Sequence, residues 1–145
     1  MSQMPLFERI HESFNRQALM HTLGAQLTSV EAGQVVISMP FNSALTQQHG
    51  FIHAGVVTTL VDNACGYAAL SMMPDNAAVL TVEFKTNFIS PAQGEYFIAK
   101  GRVLKPGKTL MVCAGDVFAV TQGKEKLIAT MLATMIVRED TGILG

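Results

Sequence analysis

One carboxylate, Asp62, stands alone among the apolar residues that fill the second half of the run QQHGFIHAGVVTTLVDNACGYAAL, residues 47–70. Burying an unpaired carboxylate costs several kcal/mol, so a lone Asp in such a segment has either a partner or a task. The partner would be an ion pair or hydrogen bond inside a subunit contact; the task would be that of a general base or nucleophile. Just upstream lies His49-Gly50-Phe51-Ile52-His53-Ala54-Gly55, a polar loop from which a helix would start near His53 to Gly55. The first N–H groups of a helix lack intrahelical acceptors and carry the positive end of its dipole. Small residues at Ala54 and Gly55 would let another group reach those donors, an arrangement suited to a carbonyl oxygen becoming an oxyanion. The glycines could equally do no more than shape a loop. Eight residues separate Ala54 from Asp62, which is ~12 Å along a helix axis. Reacting groups must approach to about 3 Å, so one helix cannot bring both to the same carbonyl carbon. If both act on one substrate, they come from two copies of the chain across a two-fold interface.

The elements that must hold these residues are legible from periodicity. Val57, Leu60, Val61, Ala64 and Ala68 form one apolar stripe of the long helix, and Thr58, Thr59, Asp62 and Gly66 a narrower polar one. Gly66 costs the helix about 1 kcal/mol against alanine, tolerable if something packs close to Asp62. The helix should end near Pro74-Asp75-Asn76. Upstream, Leu6, Phe7, Ile10, Phe14 and Ala18 predict one amphipathic helix opened by Pro5 and closed by Gly24. Strands are predicted at 25–31 and 34–41 around a turn at Gly33. Leu80, Val82, Phe84 and Phe88 then alternate with Thr81, Glu83, Lys85 and Asn87, a half-buried strand that puts Thr81 on the face of Glu83 and Lys85. Further strands are expected at 95–104, 109–121 and 126–138, joined by short turns and therefore antiparallel. A sheet of about six strands needs one face covered, and the long helix is the only element apolar enough to cover it. The expectation is α+β: a curved antiparallel sheet wrapped around a long central helix, with an N-terminal helix, in a single domain spanning 1–145.

Bulk composition narrows the function classes. With 145 residues the chain can bury a real core, and 49% hydrophobic residues with nine methionines suggest that part of the surplus lies in a subunit interface. The net charge of −1 comes without a basic run, which argues against nucleic acid. Cys65 and Cys113 fit neither a metal knuckle nor a disulfide framework, and read as buried free thiols. His49 and His53 are four apart but lack a fixed third ligand, so no metal is expected. Charged residues in the first turns argue against a signal peptide, and Asp62, Asn63, Gly66 and Ser71 interrupt the one segment of membrane-spanning length. The expected location is the cytoplasm, with no membrane partner.

The pattern Gln47…His53-Ala54-Gly55…Asp62-Asn63, followed by Thr81-Val82-Glu83-Phe84 and Ser90-Pro91-Ala92, resembles the PaaI-type acyl-CoA thioesterases of the hotdog-fold superfamily. The match runs from about residue 24 to residue 137. It implies a helix wrapped by an antiparallel sheet, paired into homodimers and often homotetramers, hydrolysing an acyl-CoA without a cofactor. Residue by residue, it implies that Asp62 attacks the thioester carbonyl or activates water, and that the Ala54 N–H polarises that carbonyl from the opposing subunit. Gln47 would contact the thioester or orient water, His53 support the loop and the thiolate side, and Thr81 stand near the nucleophilic water. Gly55 would border the substrate. The family commonly has glycine where this chain has Ala54; a backbone donor survives the methyl group, while approach of a bulky acyl group would change. Arg102, Lys105 and Lys108, near the Pro106-Gly107 turn, could meet the phosphates of CoA, or could be ordinary solubilising residues. A non-catalytic acyl-CoA or small-ligand binding protein on the same fold is the alternative. A hotdog hydratase would need a histidine–carboxylate motif not found here.

Overall fold

The structure, a computed structural model, describes residues 4–139 and 145. Pro5, at the N-cap, leads into α1 (Leu6–Asn15), whose Ile10 and Phe14 are buried. The single N-terminal helix expected from periodicity is in fact two. The chain breaks at Gln17, which takes an extended backbone conformation (φ −84°, ψ 109°) before α2 (Ala18–Leu23) begins. The break lets the Gln17 side chain turn inward, and Ala18 is exposed rather than part of the apolar stripe. Gly24 closes α2 in the left-handed conformation (φ 67°), as a C-terminal glycine does.

Six strands follow: β1 (Gln26–Glu31), β2 (Gln34–Pro40), β3 (Ala77–Phe88), β4 (Tyr96–Lys105), β5 (Leu110–Thr121) and β6 (Lys124–Glu139). They form one antiparallel sheet in the order β1-β2-β4-β5-β6-β3. Across its inner face lies α3 (Ala54–Leu70), whose Leu60, Val61, Ala64, Cys65 and Ala68 are completely buried. The approach is closest where two glycines are paired, Gly101 of β4 with Gly115 of β5. A Cβ on Gly101 would lie 2.4 Å from the backbone of Ala64, and one on Gly115 2.5 Å from the Val61 side chain. Side chains there would lift the helix, so this pair sets the depth at which α3 sits.

The helix ends about one turn earlier than the sequence suggested. Ser71 Oγ donates to the Ala68 carbonyl (2.6 Å) and accepts the Gly33 N–H (2.8 Å), tying the helix end to the β1–β2 turn. Arg9 of α1 donates to the carbonyls of Leu70 (2.6 Å) and Met73 (3.1 Å) and pairs with Asp75. A cation at a helix C-terminus is favoured by the dipole and satisfies carbonyls that have no N–H partner. None of the described helices is long and apolar enough to cross a membrane.

Strand β3 departs from the simple alternation expected of it. It is an edge strand with β6 on one side only, and Leu80, Val82, Phe84 and Phe88 are 48, 53, 43 and 51% exposed. A β-bulge falls between Thr81 and Glu83: Thr81 opposes Met135, but Glu83 opposes Thr134. Met135 is fully buried on the inner face, whereas Thr134 Oγ1 donates to Glu83 Oε1 (2.6 Å). The extra residue, Val82, thus re-aims the strand. Thr81 points toward the helix while Glu83 points away, contrary to the shared face read from strict alternation.

Candidate active site

Asp62 lies half-buried on the polar stripe of α3 and accepts a hydrogen bond from Thr81 Oγ1 (2.8 Å). Burial raises its carboxyl above the usual carboxylate range, and the Thr81 hydrogen bond, which favours the charged form, works against that rise. Such a carboxylate is a better proton acceptor than one in water. Around it is a cavity of about 290 Å³ whose wall includes Gln17, Asn63, Gly66, Tyr67 and Thr81. Gly66 makes no close contact: a Cβ there would meet nothing within 4 Å. Within the chain it has no packing neighbour and lines this open cavity about one turn from Asp62.

The second group gathers at the other end of α3. His53 is the N-cap, and its Nδ1 accepts the Gly55 N–H (2.8 Å), which leaves its ring proton on Nε2. The N–H groups of Val56 and Val57 both reach the His53 carbonyl. The Ala54 N–H alone of these first four donors has no acceptor among the described residues. Gly55 therefore contributes room beside the imidazole rather than a free N–H. Gln47 shapes the preceding loop, its Oε1 accepting the N–H groups of His49 (2.5 Å) and Phe51 (3.2 Å). Its amide Nε2 has no bond among the described residues, so a donor remains for a substrate or water. Gln47 and Ala54 share a second, largely apolar cavity of about 270 Å³ with Phe51, Val57 and Phe88.

The structure thus brings Asp62 together with Thr81, and Ala54 with Gln47 and His53, but not the two groups with each other. The two cavities share no lining residue, and one continuous helix holds their centres ~12 Å apart along its axis. Of the three cations, Arg102 projects from β4 and pairs with Asp116 (3.3 Å). Lys105 and Lys108 are exposed around the β4–β5 turn, without a bonded partner among the described residues. Cys65 and Cys113 are free and buried, and burial pushes both thiols up, Cys113 to about 11. Neither is a nucleophile near neutral pH. Sequence reading left Ser13, Gln17 and Tyr67 unassigned, because nothing in the chain's periodicity marks side chains that meet only after α1 and α2 dock on α3.

The family model of the thioesterase superfamily matches residues 49–126, more than half of the chain and inclusive of His53, Ala54, Asp62 and Thr81. This chain belongs to the thioesterase superfamily. As such it is a thioester hydrolase built on the hotdog fold. A thioesterase family protein from Silicibacter pomeroyi is 50% identical, with a TM-score of 0.91 over 93% of this chain and 99% of that one. Human acyl-coenzyme A thioesterase 13 is 33% identical over 99 residues, 68% of this chain and 70% of that protein. The PaaI protein of E. coli, at 22% identity, shares the fold with a TM-score of 0.81 over 90% of this chain and 91% of that one.

Proposed function

We propose that this thioesterase, a single domain over residues 1–145, hydrolyses an acyl-CoA at two sites formed between two copies of the chain. In each site Asp62 and Thr81 of one subunit face Gln47, His53 and Ala54 of the other. The observation that carries this reading is the division of the reactive groups between two separate cavities on one helix. A second observation supports it. Strand β3 carries Thr81, beside Asp62, in its first half and Phe88, beside Ala54, at its end, with Val82 and Phe84 exposed between them. Antiparallel pairing of β3 with its own copy about a point between Phe84 and Lys85 would set Thr81 of one chain across from Phe88 of its partner, and so one kind of cavity against the other.

In that setting the Asp62 carboxylate either takes a proton from water, whose oxygen adds to the thioester carbon, or adds to that carbon itself. In both routes the carbonyl oxygen becomes an oxyanion and is met by the Ala54 N–H at the helix N-terminus. Collapse breaks the C–S bond and the CoA thiolate leaves; in the first route Asp62 gives it the proton taken from water, and in the second it is protonated from solvent. In the second route water then hydrolyses the acyl-aspartate. Gln47 Nε2 holds the carbonyl or water, His53 fixes the loop, and Gly55 leaves room for the thioester. Lys105 and Lys108, with Arg102, attract the phosphates of CoA. The protein acts in the cytoplasm, where acyl-CoA is found, as a homodimer that pairs into a homotetramer.

The test is Asp62→Ala, measured by thiol release from the best of a panel of short, medium, long and aryl acyl-CoAs. The expected result is a folded oligomer with hydrolysis reduced at least about a hundredfold. Undiminished turnover would overturn the assignment of Asp62.

A further inference from the structure

Thr81 has one hydroxyl proton and two acceptors for it. Its Oγ1 lies 2.8 Å from Asp62 Oδ1 and 3.4 Å from Met135 Sδ, with no third acceptor among the described residues. The bulge at Val82 creates this arrangement, because it sets Thr81 opposite Met135 of β6 on the inner face, where Met135 is completely buried. A thioether sulfur accepts weakly, and an ionised carboxylate accepts strongly. While Asp62 is ionised, the Thr81 proton therefore points to the carboxylate. A protonated Asp62 loses that advantage as an acceptor and gains an O–H to donate. The arrangement that makes the most bonds is then the reverse one, with Asp62 donating to Thr81 Oγ1 and Thr81 donating to Met135 Sδ. Without the sulfur, one bond from Thr81 to the carbonyl oxygen of the acid is all that is left.

We infer that Met135 is a positioning residue: its sulfur takes the Thr81 hydroxyl proton whenever Asp62 holds a proton, so that Thr81 turns from donor to acceptor as the carboxyl changes state. This rests on the reading of Asp62 as general base, the route in which the carboxyl carries water's proton until the thiolate leaves. The sulfur then stabilises the protonated acid, and its loss should make Asp62 harder to protonate. Few other groups that titrate or carry charge face this carboxyl. Tyr67, bonded by Gln17 Nε2 (2.6 Å) and meeting Ser13 Oγ (3.1 Å), is the other titratable side chain lining the cavity among the described residues. Burial pushes the thiols of Cys65 on α3 and Cys113 on β5 up, which keeps them neutral. Arg16 at the end of α1 is turned to the Gly145 carbonyl, and Glu83 of β3 is turned to Thr134 on the outer face. In the proposed dimer, His53 of the second copy also faces Asp62.

The experiment titrates the Asp62 carboxyl by 13C NMR, its resonance assigned by its loss in Asp62→Asn, beside the pH profile of kcat/KM. Met135→Leu nearly keeps the side chain's volume and removes the sulfur. Its Asp62 midpoint and its acid limb are expected to move to lower pH by about half a unit, opposite in direction to Thr81→Val. In the Thr81→Val background the same substitution should move neither. The groups named above are the same in every variant, so a difference between variants belongs to the Thr81–Met135 contact. A measurement on the wild-type side chain covers the case in which Met135→Leu does not fold. With 13C-labelled methionine methyls, the Met135 resonance should titrate at the Asp62 midpoint and lose that change in Thr81→Val. An Asp62 midpoint that Met135→Leu leaves in place, raises, or lowers equally in both backgrounds overturns the switch and leaves the thioesterase reading standing. So does a Met135 methyl that does not titrate. Undiminished hydrolysis by Asp62→Ala instead counts against the reading of Asp62, and the switch falls with it.

Discussion

At the scale of single residues, Asp62 is governed by two opposing effects. Desolvation raises its carboxyl, and the Thr81 hydroxyl at 2.8 Å stabilises the anion and lowers it. The proposed mechanism uses the anion, so activity should fall as pH drops through the raised pKa of Asp62. Thr81→Val removes the lowering influence while keeping the side chain's shape, so the acid limb of the kcat/KM profile should move to higher pH. An acid limb that stays in place or moves to lower pH would show that Thr81 does not act on the carboxylate. The lone Asp in an apolar segment was evident from the chain. Periodicity did not give its partner, because strict alternation put Thr81 on the face of Glu83 and a bulge leaves no mark in the pattern of residue types; only the family resemblance set Thr81 near the nucleophilic water.

At the scale of elements, α3 is the ruler that separates the two groups of candidate residues, and its N-terminus can be tested without disturbing the rest. Ala54 is the first helical residue, where proline is well tolerated, and His53 already has the extended backbone (φ −59°, ψ 139°) that a following proline requires. Ala54→Pro therefore deletes one N–H and little else. Hydrolysis should drop about a hundredfold, as for loss of an oxyanion donor, with Tm within about 3 °C of wild type. Full activity in a folded Ala54→Pro protein would remove Ala54 from the mechanism. The helix itself was readable from its apolar stripe, but its end was not. Ser71 and Arg9 stop it at Leu70 through contacts with Gly33 and α1, which lie 38 and 61 residues away in sequence.

At the scale of the whole molecule, the proposed pairing joins the exposed edge of β3 to the division of the candidate residues between two cavities. Subunits carrying Asp62→Asn and Ala54→Pro should each be nearly inactive alone. Co-expressed and randomly paired, they should recover about a quarter of wild-type activity, because half the dimers are mixed and each mixed dimer has one whole site. Lack of recovery in mixed dimers isolated by two affinity tags would place both groups in the same chain's site, or outside it. The β3 edge, on which Leu80, Val82, Phe84 and Phe88 are exposed, is the surface that would bury in that pairing.

The order of the strands, the enclosure of the long helix by an antiparallel sheet, and Asp62 and Ala54 as the candidate reactive pair were all read from the sequence; the break of the N-terminal helix at Gln17 was not. Each depends on local periodicity or on one charge among apolar neighbours, and helix rise alone showed that the pair could not share a substrate within one chain. Only the tertiary structure decided what surrounds them. The turn of Thr81 toward Asp62, the seat of α3 on Gly101 and Gly115, and the wall built by Ser13, Gln17, Asn63 and Tyr67 all come from segments distant in sequence. Such contacts form only when a bulge, a helix break and a close backbone approach coincide in space, and none of these has a period that residue types can display.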